Sequence, residues 1–210
     1  MDIFDDLKEV LPDFEGYFLP IFEMHDFAKK VDFMVQEGTA IFVKKSVPHV
    51  GYGSLFVLRN YNDHLVYKGN IDFPSALQYV EINNNNQKIT ISNIHGTAQP
   101  GTKIDTPERL EQSRNIINFL NKLSSEKILC GDFNLMPDTE SIRMIERFSM
   151  KNLIKDFNIK CTRSKSNLLK WSGSEQFFAD YLFVSSGLSV KSFTVPDLEI
   201  SDHLPMILEC

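Results

Sequence analysis

Apolar residues along the chain occur mostly in short runs of strand length, and only three stretches show the spacing of a helix. The first helical stretch runs from Phe4 to Leu11 and stops at Pro12, which cannot continue a helix. The second follows Thr106-Pro107, a threonine suited to cap a helix and a proline suited to its first turn. The third begins after Asp138 or Thr139. The pattern therefore predicts three helices.

Runs of strand length outnumber the helical stretches, so β-structure is predicted to be the main component. A run of four asparagines, 83–86, separates two of these runs and predicts a hairpin with a polar loop. Strands with two or three helices packed on them favour an α/β fold, a two-sheet α/β sandwich, formed by one domain over residues 1–210. The predicted strands cover 39–43, 55–58, 77–82, 88–94, 128–130, 177–184, 188–193 and 206–208.

Composition and charge fit a folded globular protein and limit its partners. The 210 residues are 42% hydrophobic and 24% charged, which are ordinary fractions for such a protein. The formal net charge of −6 argues against a broad nucleic-acid surface, which is normally basic, although a bound cation would allow phosphate substrates. No apolar stretch of membrane length and no signal peptide is visible. Three widely spaced cysteines predict reduced thiols and a cytoplasmic location.

The most informative stretch is Gly131-Asp132-Phe133-Asn134, which follows the apolar run 128–130. In an extended backbone, residues two apart point to the same side, so Asp132 and Asn134 would face one point. Both side chains offer oxygen atoms, the ligands that a hard cation prefers, and the amide also donates hydrogen bonds. The alternative interpretation is a simple turn, because Gly, Asp, Asn and Pro all favour turns.

Three further predicted strands lie next to groups that bind metals or move protons. His95 ends the strand 88–94, Asp180 lies near the head of the strand 177–184, and Asp202-His203 precede the last strand. Each of these features alone is common at strand ends and in loops. Their joint occurrence with the first stretch indicates one shared site.

The set as a whole resembles a known family of phosphoesterases. The motifs of this set are Asn93-Ile94-His95-Gly96, Gly131-Asp132-Phe133-Asn134, Asp180-Tyr181 and Ser201-Asp202-His203. In this order they resemble the endonuclease/exonuclease/phosphatase family, which includes deoxyribonucleases, apurinic-site endonucleases, sphingomyelinases, inositol-phosphate phosphatases and deadenylases. The resemblance covers roughly residue 36 to the C-terminus. It implies a four-layered α/β sandwich and cleavage of a phosphoester with Mg²⁺, or Mn²⁺, as cofactor.

The resemblance also implies a role for each matching residue. His203 matches the central histidine, which acts as general base or stabilises the pentacovalent phosphorus. Asp180 matches the aspartate that hydrogen-bonds this histidine, fixing its tautomer and raising its pKa. Asp132 and Asn134 match the pair that orients the nucleophilic water and the phosphate. His95 matches a histidine that contacts the phosphate or protonates the leaving group.

The predicted metal ligands are Asp202, which matches a metal-binding carboxylate, together with Asp132 and Asn134. Substrate binding is predicted for Asn134, His95 and Arg109. Arg109 and its neighbour Gln112 lie on the helix after the long loop 96–105, where either could reach a phosphate or form part of a solvated helix face. Thr162-Arg163-Ser164-Lys165, with Trp171 beyond it, mixes basic and aromatic character as a nucleic-acid contact loop does. An ordinary loop is the alternative.

Two elements of the family are missing from the sequence. Members carry an Asn that closes the first strand and a Glu, a principal metal ligand, that closes the second. Lys8-Glu9-Val10 superficially resembles the Glu element, but the residues before it are acidic and helically spaced, whereas a ligand at a strand end needs a strand. We therefore expect the first strands to be absent. Their loss would weaken Mg²⁺ binding and expose a sheet edge that could pair with another chain.

The sequence thus predicts a divalent-metal-dependent phosphoesterase. Its phosphorylated substrate is either a nucleic acid or a small molecule, and no strong signal for an oligomer is present. The alternative is a truncated or catalytically silent family member that binds a phosphorylated ligand or a protein partner. The five residues Asp132, Asn134, Asp180, Asp202 and His203 favour the enzyme. The missing Asn and Glu favour the alternative.

Overall fold

A computed structural model describes residues 2–25, 31–67, 70–84, 87–165 and 176–210. The helices in these ranges are α1 (Ile3–Val10), α2 (Pro107–Leu120), α3 (Glu140–Arg147) and α4 (Leu153–Asp156). The first seven strands are β1 (Phe14–His25), β2 (Met34–Lys44), β3 (His49–Leu58), β4 (Leu65–Tyr67), β5 (Asn70–Asp72), β6 (Ser75–Asn84) and β7 (Gln87–His95). The others are β8 (Glu126–Asp132), β9 (Met150–Asn152), β10 (Asp180–Ser185), β11 (Ser192–Thr194) and β12 (Ile207–Glu209).

The centre of the fold is a six-stranded sheet in the order β3-β6-β7-β8-β10-β9. Only the pair β7–β8 is parallel, and the crossover between these strands contains α2, as parallel pairing requires a long connection. Ile116 and Leu120 of α2 are fully buried, as are Leu129 of β8 and Phe183 of β10. Burial of these side chains in one continuous core fixes α2 against the sheet.

Three two-stranded sheets, β1–β2, β4–β5 and β11–β12, flank the central sheet. The β1–β2 pair is joined to β6 by Gln78, whose amide donates to the Tyr17 carbonyl at 2.8 Å and accepts from the Thr39 hydroxyl at 3.2 Å. The pairing of β1 with β2 is interrupted by a bulge between Pro20 and Phe22. The extra residue turns two consecutive side chains, Ile21 and Phe22, into buried positions.

The structure confirms the α/β class and the main elements predicted from sequence, with several boundaries shifted. Helix α2 begins as predicted, since the Thr106 hydroxyl accepts from the Arg109 N–H at 3.2 Å. Strand β10 begins at Asp180 and not at residue 177, and β11, Ser192–Thr194, overlaps the predicted 188–193 only at its last two residues. Leu188 instead belongs to a turn, in which its N–H donates to the Ser185 carbonyl.

The part of the chain described before β1 contains α1 and no strand. Asp2 caps α1 by accepting from the Phe4 and Asp5 amides, and the Phe4 ring packs on Phe18 and Phe42 with ring centroids 5.5 Å apart. Glu9 lies on this helix and is exposed, so it does not close a strand. None of the described helices is long and apolar enough to cross a membrane.

Candidate active site

The ends of three neighbouring strands place polar side chains in one row. Asp132 on β8 is paired with His95 on the parallel strand β7 and with Asp180 on the antiparallel strand β10. Residues paired across neighbouring strands project from the same face of a sheet. His95 Nε2 consequently lies 3.9 Å from Asp132 Oδ2.

His203 completes this cluster from the loop before β12. Its Nδ1 lies 2.7 Å from Asp180 Oδ2, within hydrogen-bond distance. Its Nε2 lies 3.9 Å from Asp132 Oδ2 and 3.9 Å from Asp202 Oδ2. One ligand atom from each of Asp132, Asp180 and His203 lies within 4.8 Å of the other two. The structure therefore brings together His95, Asp132, Asp180, Asp202 and His203 from four separate parts of the sequence.

Thr162 positions both members of the His203–Asp180 pair. Its buried hydroxyl accepts from the backbone N–H groups of Ala179 at 3.1 Å and Asp180 at 3.2 Å. Its carbonyl accepts from the N–H of Leu204, next to His203, at 2.9 Å. Thr162 thus links the start of β10 to the histidine loop. Sequence analysis placed it in a possible nucleic-acid contact loop, whose Trp171 lies outside the described residues.

The protonation of the His203–Asp180 pair reflects burial and mutual attraction. Burial raises the pKa of Asp180, because a buried carboxylate loses solvation, and the hydrogen bond from His203 partly offsets this. The pKa of His203 is raised above 6.5, mainly by its hydrogen bond to Asp180. The imidazolium form of His203 is therefore favoured relative to a free histidine.

Asn134 does not have the extended geometry on which its prediction was based. Its φ of 54° lies in the left-handed region, so its side chain does not repeat the direction of Asp132. Its N–H donates to Asp132 Oδ1 at 2.7 Å, its Nδ2 donates to the Gly96 carbonyl at 3.1 Å, and its Oδ1 accepts from Lys103 Nζ. Asn134 is buried, and these contacts orient the Asp132 carboxylate. A direct role in catalysis, substrate binding or metal binding stays a prediction for this residue.

Lys103 is a residue of this site that sequence reasoning missed. Its ammonium donates to the Asn134 amide oxygen and to the Ala98 carbonyl, the latter at 3.0 Å. Burial lowers the pKa of Lys103 to about 8, and the nearby Asp132 partly opposes this. A single lysine in the long loop 96–105 gives no sequence signal, because its burial depends on residues distant in the chain.

Arg109 does not lie on a solvated helix face, and substrate binding by this residue stays a prediction. The side chain is fully buried. Its guanidinium donates to the carbonyls of Ile104 at 2.6 Å, Pro100 at 2.7 Å and Ala98 at 3.2 Å. Gln112 is also buried and accepts from the Thr97 N–H at 2.9 Å. Both side chains hold the loop that follows His95.

Comparison with known proteins agrees with this geometry. The family model described as "Endonuclease/Exonuclease/phosphatase family" matches residues 4–203. The chain belongs to the endonuclease/exonuclease/phosphatase family. No curated protein sequence matches it.

Three of the solved structures that share the fold illustrate the likeness. A family member from Bacteroides thetaiotaomicron has 16% identity and a TM-score of 0.70, covering 98% of this chain and 75% of its own. Mannosyl-6-phosphatase Bt3783 from the same organism has 16% identity and a TM-score of 0.69, with coverages of 98% and 80%. The human nocturnin catalytic domain with bound sulfate has 18% identity and a TM-score of 0.68, with coverages of 98% and 75%. At these identities the likeness establishes the fold alone.

Proteins of the endonuclease/exonuclease/phosphatase family are phosphoester hydrolases that generally use divalent metals, and the donor set found here fits such an ion. Mg²⁺ in proteins is held by one or two carboxylates and otherwise by water and substrate phosphate. Among the described residues, Asp132, Asp180 and His203 could hold such an ion, because one ligand atom from each lies within 4.8 Å of the others. The exposed carboxylate of Asp202 lies 3.9 Å from His203 Nε2, and its role as a metal ligand stays a prediction. The amide oxygen of Asn134, also predicted as a ligand, accepts from Lys103 instead.

Proposed function

We propose that this chain is a divalent-metal-dependent phosphoesterase that hydrolyses a phosphodiester or phosphomonoester. The observation that supports this most directly is the convergence of His203, oriented by Asp180, and His95 on the carboxylate of Asp132. Two imidazoles and a carboxylate at one point suit the attack of water on a phosphorus atom. A nucleic acid and a small phosphorylated molecule are both compatible with this chemistry.

In the proposed reaction, Asp180 accepts a hydrogen bond from the Nδ1–H of His203. This contact holds the tautomer in which Nε2 is unprotonated and directed at the reacting atoms. The oxygen of a water molecule bonds to phosphorus while its proton moves to Nε2. The bond between phosphorus and the leaving oxygen breaks, and that oxygen takes a proton from His95, whose side chain is about half exposed. The N–H of Asn134 holds the Asp132 carboxylate in place throughout.

Asp132 and Asp202 are the residues proposed to hold Mg²⁺ or Mn²⁺. When bound, such an ion offsets the negative charge of the phosphate and makes a coordinated water more acidic. Once His203 has taken the proton from water, its imidazolium also opposes the negative charge at phosphorus, and Asp180 stabilises this charged form.

Hydrolysis of bis-p-nitrophenyl phosphate tests the proposal. The full chain is assayed with Mg²⁺, with Mn²⁺ and with a chelator, beside His203→Ala and the control His64→Ala. His64 is exposed and makes only a local contact with the Asn62 carbonyl. We expect metal-dependent turnover that falls by about 100-fold or more in His203→Ala, the usual loss for an acid–base residue, and is unchanged in His64→Ala. Undiminished turnover in His203→Ala would overturn the role given to this residue.

A silent family member that binds a phosphorylated ligand is the second candidate. Two observations favour it: the Asn134 amide already bonds to Lys103 and to the Gly96 carbonyl, and no strand that could supply the family's Glu precedes β1 in the described chain. Its signature is binding of inorganic phosphate, measured by calorimetry and weakened in His203→Ala, without turnover of any phosphoester under any metal.

A further inference from the structure

A cavity of about 340 Å³ opens directly beside the candidate active site. Its walls come from the β1–β2 pair, from the turn between β5 and β6, and from the end of β7, and they include Ile21, Phe22, Glu37, Ile71, Phe73 and His95. His95 belongs to both the cavity and the active site. A molecule with its phosphate beside Asp132 can therefore place an attached group in this cavity.

One wall of the cavity is a flat aromatic surface. The rings of Phe22 and Phe73 are stacked, with centroids 3.7 Å apart and planes within 6° of parallel. Phe22 is buried, whereas Phe73 is partly exposed. The bulge after Pro20 turns Phe22 inward, so Phe22 supports Phe73. A supported, partly exposed ring is a good platform for stacking another ring.

The wall that contains Phe73 is held rigidly against the segment that follows His95. The buried Asp72 carboxylate accepts from the Thr97 hydroxyl at 2.8 Å and from the N–H groups of Ala98 and Gln99 at 3.1 Å. Arg59 pairs with Asp72 and also donates to the Phe73 carbonyl at 2.8 Å. Both sides of the cavity are thereby fixed before a ligand binds, which limits the entropy lost on binding.

The charges around the cavity restrict its occupant. The described lining residues include one carboxylate, Glu37, and the imidazole of His95, but no lysine or arginine. A second phosphate would thus meet a negative charge without a compensating cation. The apolar side chains of Ile21 and Ile71 and the ring of Phe73 favour an uncharged, flat group instead.

We propose that this cavity binds an uncharged aromatic or heteroaromatic ring that is part of the phosphoester substrate. The proposal rests on the proposed function, because it places the phosphate beside His95 and Asp132. It narrows the substrate class to ring-bearing phosphoesters, and it disfavours compact molecules with several phosphates.

Binding of phenylphosphonate and methylphosphonate, which differ only in the ring, tests the proposal without requiring turnover. Ligand-observed NMR titrations use the full chain with Mg²⁺. We expect phenylphosphonate to bind about tenfold more tightly, the effect of a stacked and buried ring. Ala98→Leu enlarges a side chain that lines the cavity and should reduce this preference to about twofold or less while leaving methylphosphonate binding unchanged.

Two other variants complete the design. Phe73→Leu keeps an apolar side chain but removes the flat surface, so it should lower the preference for phenylphosphonate severalfold even if Ala98→Leu fails to fold. Ala40→Leu makes the same enlargement in a different groove, between α1 and the β1–β2 pair, and should leave the preference at the wild-type value.

The outcomes separate this proposal from the proposed function. Equal binding of the two phosphonates by a chain that hydrolyses bis-p-nitrophenyl phosphate would overturn the ring site and leave the phosphoesterase intact. A preference for phenylphosphonate that Ala98→Leu or Phe73→Leu abolishes, in a chain without turnover, would support the ring site and count against the enzyme. A preference unchanged in both variants would place the ring elsewhere and overturn the proposal.

Discussion

Asp132 and Asp180 occupy directly opposed positions on the antiparallel strands β8 and β10. Two carboxylates opposite each other on a sheet repel and destabilise the pair of strands. His203 reduces this repulsion, because its Nδ1 contacts Asp180 at 2.7 Å and its Nε2 lies 3.9 Å from Asp132. The histidine thus offsets charge repulsion at the sheet end and is also a candidate for catalysis.

The first prediction concerns the protonation of His203. Its pKa, measured from the imidazole resonances by NMR, should lie above 6.5 in the wild type, because Asp180 stabilises the imidazolium. Asp180→Asn removes the negative charge and should lower the pKa of His203. An unchanged pKa in Asp180→Asn would show that the hydrogen bond is not the main cause.

The same pair makes stability depend on pH with a defined sign. Because the folded-state pKa of His203 is raised, its contribution to the free energy of unfolding is full below about pH 6.5 and is lost as pH rises through the raised value. Urea denaturation should therefore show a larger difference between wild type and His203→Ala at pH 6 than at pH 9.

The second prediction concerns Lys103. Its pKa of about 8, against an ordinary 10.5, means that keeping the buried ammonium charged costs on the order of 3 kcal/mol. Lys103→Met removes this cost but also the donor that fixes the Asn134 amide. We expect the free energy of unfolding at pH 7 to rise by about 1–2 kcal/mol while kcat/KM falls.

Lys165→Met is the control for this change, since Lys165 is exposed and forms a surface ion pair with Asp197. It should change the free energy of unfolding by less than about 0.5 kcal/mol. Loss of stability in Lys103→Met together with full activity would contradict the positioning role.

The third prediction distinguishes the two roles considered for Arg109. Because the buried Arg109 guanidinium donates to three backbone carbonyls, Arg109→Met should lower the free energy of unfolding by about 3 kcal/mol. Arg114→Met changes an exposed arginine on the same helix and should have little effect. A variant of Arg109 with wild-type stability and a raised KM would instead support direct substrate binding.

The fourth prediction concerns the glycine before Asp132. Gly131 has a φ of +127°, and a Cβ there would lie 2.1 Å from the Ile94 carbonyl oxygen. Gly131→Ala should therefore destabilise the chain by about 3 kcal/mol or more. Gly101→Ala, where a Cβ would meet no atom within 4 Å, is the control. Equal melting temperatures for the two variants would contradict this account.

Local signals in the sequence sufficed to predict much of the framework. The Thr106-Pro107 start of α2 and the hairpin around 83–86 depend on neighbouring residues, and both occur in the structure. The strand that leads to Asp132 was also predicted, because its apolar run ends at a glycine. His95, Asp180 and His203 lie at strand ends or just before a strand, which explains why they meet.

The features that could not be predicted from sequence depend on contacts between distant parts of the chain. The left-handed conformation of Asn134 and the burial of Lys103 and Arg109 accompany contacts with the loop 96–105, whose carbonyls accept hydrogen bonds from both cations. The sequence does not distinguish a buried lysine or arginine that donates to such carbonyls from one that is exposed to solvent. Thr162 likewise acts through the backbone of Asp180, a contact that no local pattern reveals.

Three different strands supply His95, Asp132 and Asp180, and a fourth segment of the chain supplies His203. No fragment that lacks one of these segments can contain the complete cluster. Such non-local assembly is associated with slow folding. During refolding, recovery of phosphate binding should therefore lag behind the return of helical signal, and ligand affinity would report the last step of folding.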